Sequence, residues 1–407
     1  MKILYLTQYY PPEVGAGAVR SDAMVRNLVK DGWKVDVVTE IPNYPTGNVH
    51  KNFKNKWIYK QKSDSLTIHR IWVWANQRQN ITQQLLFFIS FMVSSFIYLL
   101  FKKKDYDIIY CTSPPIFGAI TGALISKLSS AKLVFEVRDL WPDSAVDQES
   151  LQSKSFFIRV GRIIEKWLYH TSDLIIPVTK KSEKIIKAKS NGTPTYVVTN
   201  GVDLNLFRAL NKNQLELEES FDTSKFRVGY VGSLGVIHDL QTLVKSAKIC
   251  ETDKNIEFVL VGDGGRNNKL HRLLREHESK NITWVGLKEH HKIPHYISSF
   301  DLAINPINNS EAFKSIVTVK FYEYLACGVP VISSGRGAIE QISKESKAAK
   351  TVPPGDYETL AKTILDLKDN SKKLKELSEY ARPFVENHYS RRELAFKLSK
   401  RLKKLIG

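Results

Sequence analysis

Cysteine is scarce in this chain: three in 407 residues, Cys111, Cys250 and Cys327, far apart in the sequence. They offer neither a disulfide framework nor the spacing of a metal site, so the expected compartment is reducing and cytoplasmic. Acidic residues are also in deficit. Against 60 Lys and Arg there are 42 Asp and Glu, a net charge of +18, which calls for an anionic partner: nucleic acid, a membrane surface or a phosphorylated small molecule. No helix-turn-helix, RRM or zinc-finger pattern is present, so no nucleic acid partner is expected. His290, His291 and His295 lack metal-ligand spacing and read as a surface helix. The opening "MKILYLTQYYPP" carries too short an apolar run for a signal peptide and reads as a first strand.

What is present is globular: 43% hydrophobic and 25% charged residues, over a length that predicts two domains. Short runs rich in Ile, Val, Leu and Tyr alternate with helical patterns, the mark of parallel sheets built from βαβ units. The first series is "KILYLT", "KVDVVTE", "LTIHRIWVW", "DIIYCTS", "KLVFEVRD", "LIIPVT" and "TYVVTN"; the second is "FRVGYVG", "IEFVLVGDGG", "ITWVGL", "LAINP", "PVISS" and "AKTVP". Between them "NKNQLELEESFDTSK" is polar and lacks strand character, placing a linker near 205–225. The expected fold class is α/β, two facing Rossmann-like domains: 1–205, with 385–407 packing back on it, and 206–384. The tail "RRELAFKLSKRLKKLIG" is amphipathic and follows a domain already complete in strands, so its apolar side needs another surface.

The stretch "ITQQLLFFISFMVSSFIYLLF", 81–101, is uncharged. Its apolar part would reach about 25 Å as a helix against about 30 Å of hydrocarbon. Strands before and after it belong to one sheet, which rules out a single crossing. Two readings remain: a buried crossover helix, or a helix set shallowly in one leaflet with Phe87, Phe88, Phe91 and Phe96 toward lipid, Lys102, Lys103 and Lys104 at the headgroups and the basic tail adding attraction. The uninterrupted apolar surface favours the second.

In open parallel sheets ligands bind beyond the carboxyl ends of the strands. After the first strand "PPEVGAG" brings Gly15 and Gly17, where a ligand can approach backbone, ahead of a helix whose amino end suits an anion. After "KLVFEV" come Arg138 and Asp139, able to carry proton or charge chemistry or to form a salt-bridged helix cap. "NGVD" puts Asn200 in a tight turn. "VGSLG", with Ser233, and "VGDGGR", with Gly262, Gly264, Gly265 and Arg266, are turns of the kind that cradles phosphate. Lys320 and Glu323 in "VTVKFYEYLACGVPVIS" share one face of a helix near its amino end. The pair Asp105 and Asp107 in "DYD" precedes its strand and belongs at the opposite edge.

"PPEVGAG", "RDLWPDS", "NGVD", "VGDGG" and "KFYEYLACGVPVI", in this order over nearly the whole chain, resemble the retaining GT-B glycosyltransferases of family four, particularly bacterial capsule and O-antigen enzymes of the N-acetylfucosamine-transferring type. The resemblance implies that Glu323 holds the nucleotide ribose hydroxyls and that Lys320 steadies the diphosphate, with Gly15, Gly17, Ser233 and Arg266 as further donor-binding positions. Asp139, with Glu13 as the alternative, would orient or deprotonate the acceptor, beside Arg138 and Asn200. Ser315 stands where the family carries a second glutamate, and "GSLGVIHDLQT" lacks the Arg and Lys that many relatives place there. The implied activity is transfer of a sugar, an N-acetylated amino or deoxyamino sugar, from a UDP-sugar to an undecaprenyl-diphosphate-linked acceptor. It needs no cofactor and no metal, and it takes place at an anionic membrane surface on the cytoplasmic face of the inner membrane. A UDP-sugar epimerase and a non-catalytic nucleotide-sugar-binding scaffold are the alternatives.

Overall fold

The computed structural model describes residues 1–13, 15–43, 46–78, 80–102, 105–143, 156–264 and 266–407. The expectations placed on Lys103, Lys104 and Gly265 lie outside them. The chain forms two compact units, Met1–Thr199 with Arg391–Gly407, and Asn200–Ser390.

The first unit runs β1 (Lys2–Leu6), α1 (Ala16–Lys30), β2 (Lys34–Glu40), β3 (Ile58–Lys62), β4 (Leu66–Ile71), α2 (Ile81–Phe101), β5 (Ile108–Ser113), α3 (Phe117–Lys127), β6 (Lys132–Val137), α4 (Phe156–Thr171), β7 (Leu174–Pro177) and α5 (Lys180–Lys189). Its seven-stranded sheet has the order β3-β4-β2-β1-β5-β6-β7. All pairs are parallel except β3 with β4. Alternation along β1 divides the core: Leu4 and Leu6 pack with Phe87, Phe91 and Ala119 from α2 and α3, while Ile3 and Tyr5 pack with Met24, Leu28 and Leu398 on the other face.

The second unit runs β8 (Phe226–Val231), α6 (Leu240–Cys250), β9 (Ile256–Val261), α7 (Asn267–Glu276), β10 (Ile282–Gly286), α8 (Ile293–Ser298), β11 (Leu302–Pro306), α9 (Val319–Ala326), β12 (Val331–Ser334), α10 (Ala338–Ser346), β13 (Ala349–Val352), α11 (Tyr357–Asp369) and α12 (Ser371–His388). The sheet order is β10-β9-β8-β11-β12-β13, parallel throughout. The segment read as a linker is packed here: Leu217 and Phe221 lie against the core, and Glu218 and Glu219 pair with Lys288 at 2.6 and 2.5 Å.

The last helix, α13 (Arg391–Ile406), is part of the first unit. Its apolar side, Ala395, Leu398 and Leu402, is buried against α1. Trp33 Nε1 donates to Ser399 Oγ at 2.7 Å and Lys403 Nζ reaches Asp31 Oδ2 at 2.8 Å.

Helix α2 is neither wholly buried nor free. Asn80 caps it by accepting from Gln83 N at 2.9 Å. Phe87, Phe91, Ser95 and Leu99 dock on the sheet and α3, while Leu86, Ile89, Val93, Ile97 and Leu100 stay exposed. Phe87 and Phe91, expected toward lipid, therefore belong to the core. Lys102, expected at headgroups, is spent inward: its ammonium lies 3.4 Å from Asp36 and 2.5 Å from His69 Nε2. The basic tail packs on α1, on the sheet face opposite α2, so its charges do not flank that helix.

Two strand expectations also change. "TYVVTN" forms a single bridge, Thr195 to Ile175, because its last carbonyls, Val198 and Thr199, turn to accept from Arg20 at 2.8 Å each. The edge strand β3 has no counterpart in the expected series; four of its five residues are exposed, so no alternation marks it.

Candidate functional site

Helix α9 starts at Thr318, whose hydroxyl donates to Asn305 Oδ1 at 3.0 Å instead of capping the helix. No side chain therefore caps the amino end of α9, where Phe321 N donates to Thr318 O at 3.2 Å and the preceding amides of the first turn suit an anion. Lys320, in that first turn, is buried. Its Nζ donates to Tyr230 Oη at 2.8 Å, lies 3.1 Å from His238 Nε2 and sits 4.1 Å from the Tyr230 ring centroid. Tyr230 Oη passes its own hydrogen to Ser233 O at 2.7 Å. His238 Nδ1 faces Pro306 O at 3.3 Å. A carbonyl only accepts, so Nδ1 carries the proton and Nε2 accepts from Lys320. Burial, and then the Lys320 charge, hold His238 well below the ordinary imidazole range. Burial pushes the Lys320 ammonium down to about 7, against the opposing pull of Glu323. An ammonium held by neutral acceptors, easily deprotonated and beside open helix amides, is arranged to gain from an incoming diphosphate.

The glycine turns make room for the Lys320 side chain and for each other. Gly232, just after β8, has φ 135°, and a Cβ there would come within 2.6 Å of Lys320 Nζ. Gly262, just after β9, packs so closely that a Cβ would meet Gly232 O at 2.0 Å. Leu234 N donates to Asp263 O and Arg266 N to Leu234 O, each at 3.0 Å, which locks the two turns together. Arg266 stands at the amino end of α7. Glu323 lies one turn beyond Lys320 on α9, half-buried. Asn200 falls in this unit, where its Nδ2 donates to Val317 O at 3.4 Å ahead of α9. Ser315 is buried, and Glu311, on the exposed turn, pairs with Lys314. The structure thus gathers Lys320 and Ser233 around Tyr230 and ties Arg266 to the same turns.

The first unit holds Gly15, Gly17, Glu13, Arg138 and Asp139. Gly15, with φ 135°, starts α1. Arg138 is engaged by its surroundings: Nη1 donates to Gly17 O at 3.0 Å and Nη2 to Ser21 Oγ at 2.9 Å, while Nε lies 3.6 Å from Glu136. Arg20 pairs with the same Glu136. Burial opposes ionisation of Glu136, yet Arg20 and Arg138 hold its carboxyl down at about 2. Arg138 is therefore a brace between β6 and the start of α1. Asp139 is half-buried; burial lifts its carboxyl above the ordinary range and Arg138 opposes the lift. Glu13 accepts from Asn43 N at 3.0 Å and hydrogen-bonds the carboxyl of Glu40, which burial and the Glu13 charge raise well above the ordinary range. Two carboxyls in one hydrogen bond share a proton, so Glu13 acts with Glu40. Asp107 accepts from Lys2 N at 2.7 Å at the amino edge of the sheet.

Three residues here escaped the sequence reading. Glu40 ends β2 and Glu136 stands one residue before the end of β6, where the strand-end rule could have found them; His238 sits in the "GSLGVIHDLQT" turn.

Comparison with known proteins follows this division. Residues 17–206 match the family model Glycosyltransferase Family 4 and residues 211–384 match Glycosyl transferases group 1. The chain is a glycosyltransferase with the GT-B fold, of the group 1 and family 4 type. It is 24% identical over 340 residues, 81% of this chain and 82% of the relative, to WcaI of Escherichia coli (strain K12), which bears the name of a colanic acid biosynthesis glycosyl transferase. It is 25% identical over 226 residues, 54% of this chain and 55% of the relative, to TuaH of Bacillus subtilis (strain 168), named for teichuronic acid biosynthesis. In fold it is similar to a sucrose-phosphate synthase from Thermosynechococcus elongatus, with a TM-score of 0.79, 19% identity and coverage of 99% and 98% of the two chains. It is also similar to Anabaena HepE in complex with UDP and glucose, with a TM-score of 0.73, 17% identity and coverage of 99% and 100%.

Proposed function

We propose that the protein moves a sugar from a UDP-sugar to a lipid-diphosphate-linked acceptor during assembly of a cell-surface polysaccharide, with retention of anomeric configuration, at the cytoplasmic face of the membrane. The observation that carries this reading is the Lys320 ammonium, buried between Tyr230 and His238 beside two close-packed glycine turns and the open amino end of α9. The bond between the anomeric carbon and the diphosphate oxygen breaks, and negative charge grows on the departing diphosphate. Lys320 and the α9 amides oppose that charge in a site already arranged for it. Glu323 accepts hydrogen bonds from the two ribose hydroxyls. The acceptor hydroxyl bonds to the anomeric carbon on the face the diphosphate leaves and gives its proton to the leaving phosphate. Because Lys320 and backbone amides supply the positive charge, turnover proceeds without a divalent metal. The names of the polysaccharide-assembly relatives support the pathway, and HepE, bound to UDP and glucose, supports the donor class.

The test is mass spectrometry of a polyprenyl-diphosphate-linked monosaccharide incubated with a panel of UDP-sugars, with and without EDTA. A mass gain of one sugar, unaffected by EDTA, is expected, and the productive UDP-sugar names the donor. Absence of transfer from every donor refutes the reading. Loss in EDTA with restoration by Mg²⁺ or Mn²⁺ refutes metal independence.

A further inference from the structure

Helices α2, α3 and α4 lie side by side over one face of the first sheet, sharing a core with Leu4, Leu6 and Ile109. Their outer surfaces are unusual. The α2 stripe from Leu86 to Leu100 is 38 to 49% exposed and contains no charged residue. The apolar surface continues across its neighbours: Leu124 and Leu128 on and just after α3, Phe157 and Ile163 on α4. Cations stand among them, with Lys127 on α3 and Arg159 and Lys166 on α4 all exposed. The only carboxylate in these three helices, Glu165, is buried and bound by Lys189 at 3.0 Å. Ser90 and Ser94 face inward, to Trp74 N and Trp72 O at 2.9 and 2.7 Å, so the outer stripe is left without polar relief.

We infer that this three-helix face is a docking platform for an anionic phospholipid surface, with α2 lying in the headgroup boundary and α3 and α4 supplying the cations. The inference deepens the membrane location proposed above and rests on it. An apolar stripe bordered by cations matches a negatively charged interface whose interior is hydrocarbon; Asp143, a partly exposed carboxylate beside α4, is paired with Arg162 and Lys189 at 3.0 and 3.2 Å. A copy of this chain, at +18, would bring the same cations against these. Strands β4 and β5 flank α2 within one sheet, so the helix lies on the bilayer and does not cross it. The flanking charges come from α3 and α4, since Lys102 is bound to Asp36 and the tail lies on the opposite sheet face.

Flotation of the full chain with vesicles of 30% phosphatidylglycerol in phosphatidylethanolamine tests this, beside vesicles of phosphatidylcholine alone. Wild type should float with the anionic vesicles. Val93→Ser with Ile97→Ser, both exposed positions, should lower the bound fraction at least tenfold at low salt. Arg159→Gln with Lys166→Gln should lower it severalfold, and Lys400→Gln with Lys404→Gln on α13 should leave it unchanged. Circular dichroism and UDP calorimetry check that each variant is folded. Failure of wild type to float, equal flotation with phosphatidylcholine, or loss of binding only in the α13 variant would each overturn the inference. So would a stable dimer by sedimentation that Val93→Ser and Ile97→Ser abolish in the absence of vesicles. Turnover of the detergent-solubilised acceptor, measured in parallel, separates this outcome from the reaction itself: transfer without flotation defeats the platform alone, and flotation without transfer defeats the proposed reaction alone.

Discussion

At the strand ends of the first sheet a buried carboxylate, Glu136, sits between the guanidiniums of Arg20 and Arg138. At those of the second a buried ammonium, Lys320, sits between a phenol and an imidazole. Each sheet thus buries a charge near its strand ends, of opposite sign in the two, and the surroundings answer differently. Glu136 also accepts from Tyr110 Oη at 3.1 Å, and its charge is compensated within the fold. The Lys320 ammonium is held by neutral groups, Tyr230 Oη and His238 Nε2. A compensated buried charge holds structure together; an uncompensated one costs stability and is useful only when a ligand arrives.

The largest effect that separates the two is expected from Glu136→Gln. It leaves two buried guanidiniums facing a neutral amide and should destabilise the first unit by about 3–5 kcal/mol, seen as a lower melting temperature by calorimetry. An unchanged melting temperature would show that Glu136 is not the compensating group. The native carboxyl at about 2 lies below its unfolded value of about 4.3. Its contribution is therefore present above about pH 4.3 and is lost as pH falls toward 2.

Lys320→Met should move stability the other way while removing function. Its native pKa of about 7 lies below an unfolded value of about 10.4, so the cost of burying the ammonium is full below pH 7 and is relieved as pH rises toward 10.4. The variant should melt higher at pH 6.5 and bind UDP at least tenfold more weakly, since a charge-assisted hydrogen bond contributes about 1.5–3 kcal/mol. A variant that melts lower, or binds UDP as before, would erase the contrast with Glu136. Glu323→Gln should cost about tenfold in UDP affinity by losing a charged acceptor to the ribose, again by calorimetry. Unimpaired binding would remove Glu323 from the ribose site.

A smaller effect follows from pH. Bound diphosphate should keep Lys320 protonated, so UDP binding takes up a proton above pH 7 and weakens by up to about tenfold between pH 7 and 8, where the phosphate is already ionised. The other groups around the ammonium do not titrate over that range: burial, then the Lys320 charge, keep His238 neutral, and burial raises Tyr230 and Tyr324 far above it. A pH-independent affinity would show that the ammonium is not titrating. The smallest effect is expected at Lys403→Met, which breaks the partly exposed pair with Asp31 and should cost under about 1 kcal/mol. A loss as large as that at Glu136 would mean that exposure does not distinguish these pairs.

Much of the fold was legible locally. Each strand of the second unit coincides with a run marked in the sequence, most plainly the inner strands β8, β9, β11 and β12, because a strand buried on both faces must be largely apolar along its length. Lys320 and Glu323 were legible as one helix face, three residues apart in a helix after a strand. What escaped was decided by partners distant in sequence. Strand β3 has no periodicity of its own because it is an exposed edge, bearing Lys60 and Lys62, and only pairing with β4 makes it a strand. "TYVVTN" has strand composition, but Arg20, 178 and 179 residues away, takes its carbonyls. The sequence by itself determined two α/β halves, an uncharged helix at 81–101 and a lysine-glutamate pair at a helix start, since period and composition are local properties. Tertiary structure alone decided that Lys102 turns inward to Asp36, that Glu136 is compensated while Lys320 is held by His238, and that only one side of α2 faces out. Each of these is a matter of which side chain a folded backbone brings within a few ångströms of another, and no local pattern encodes it.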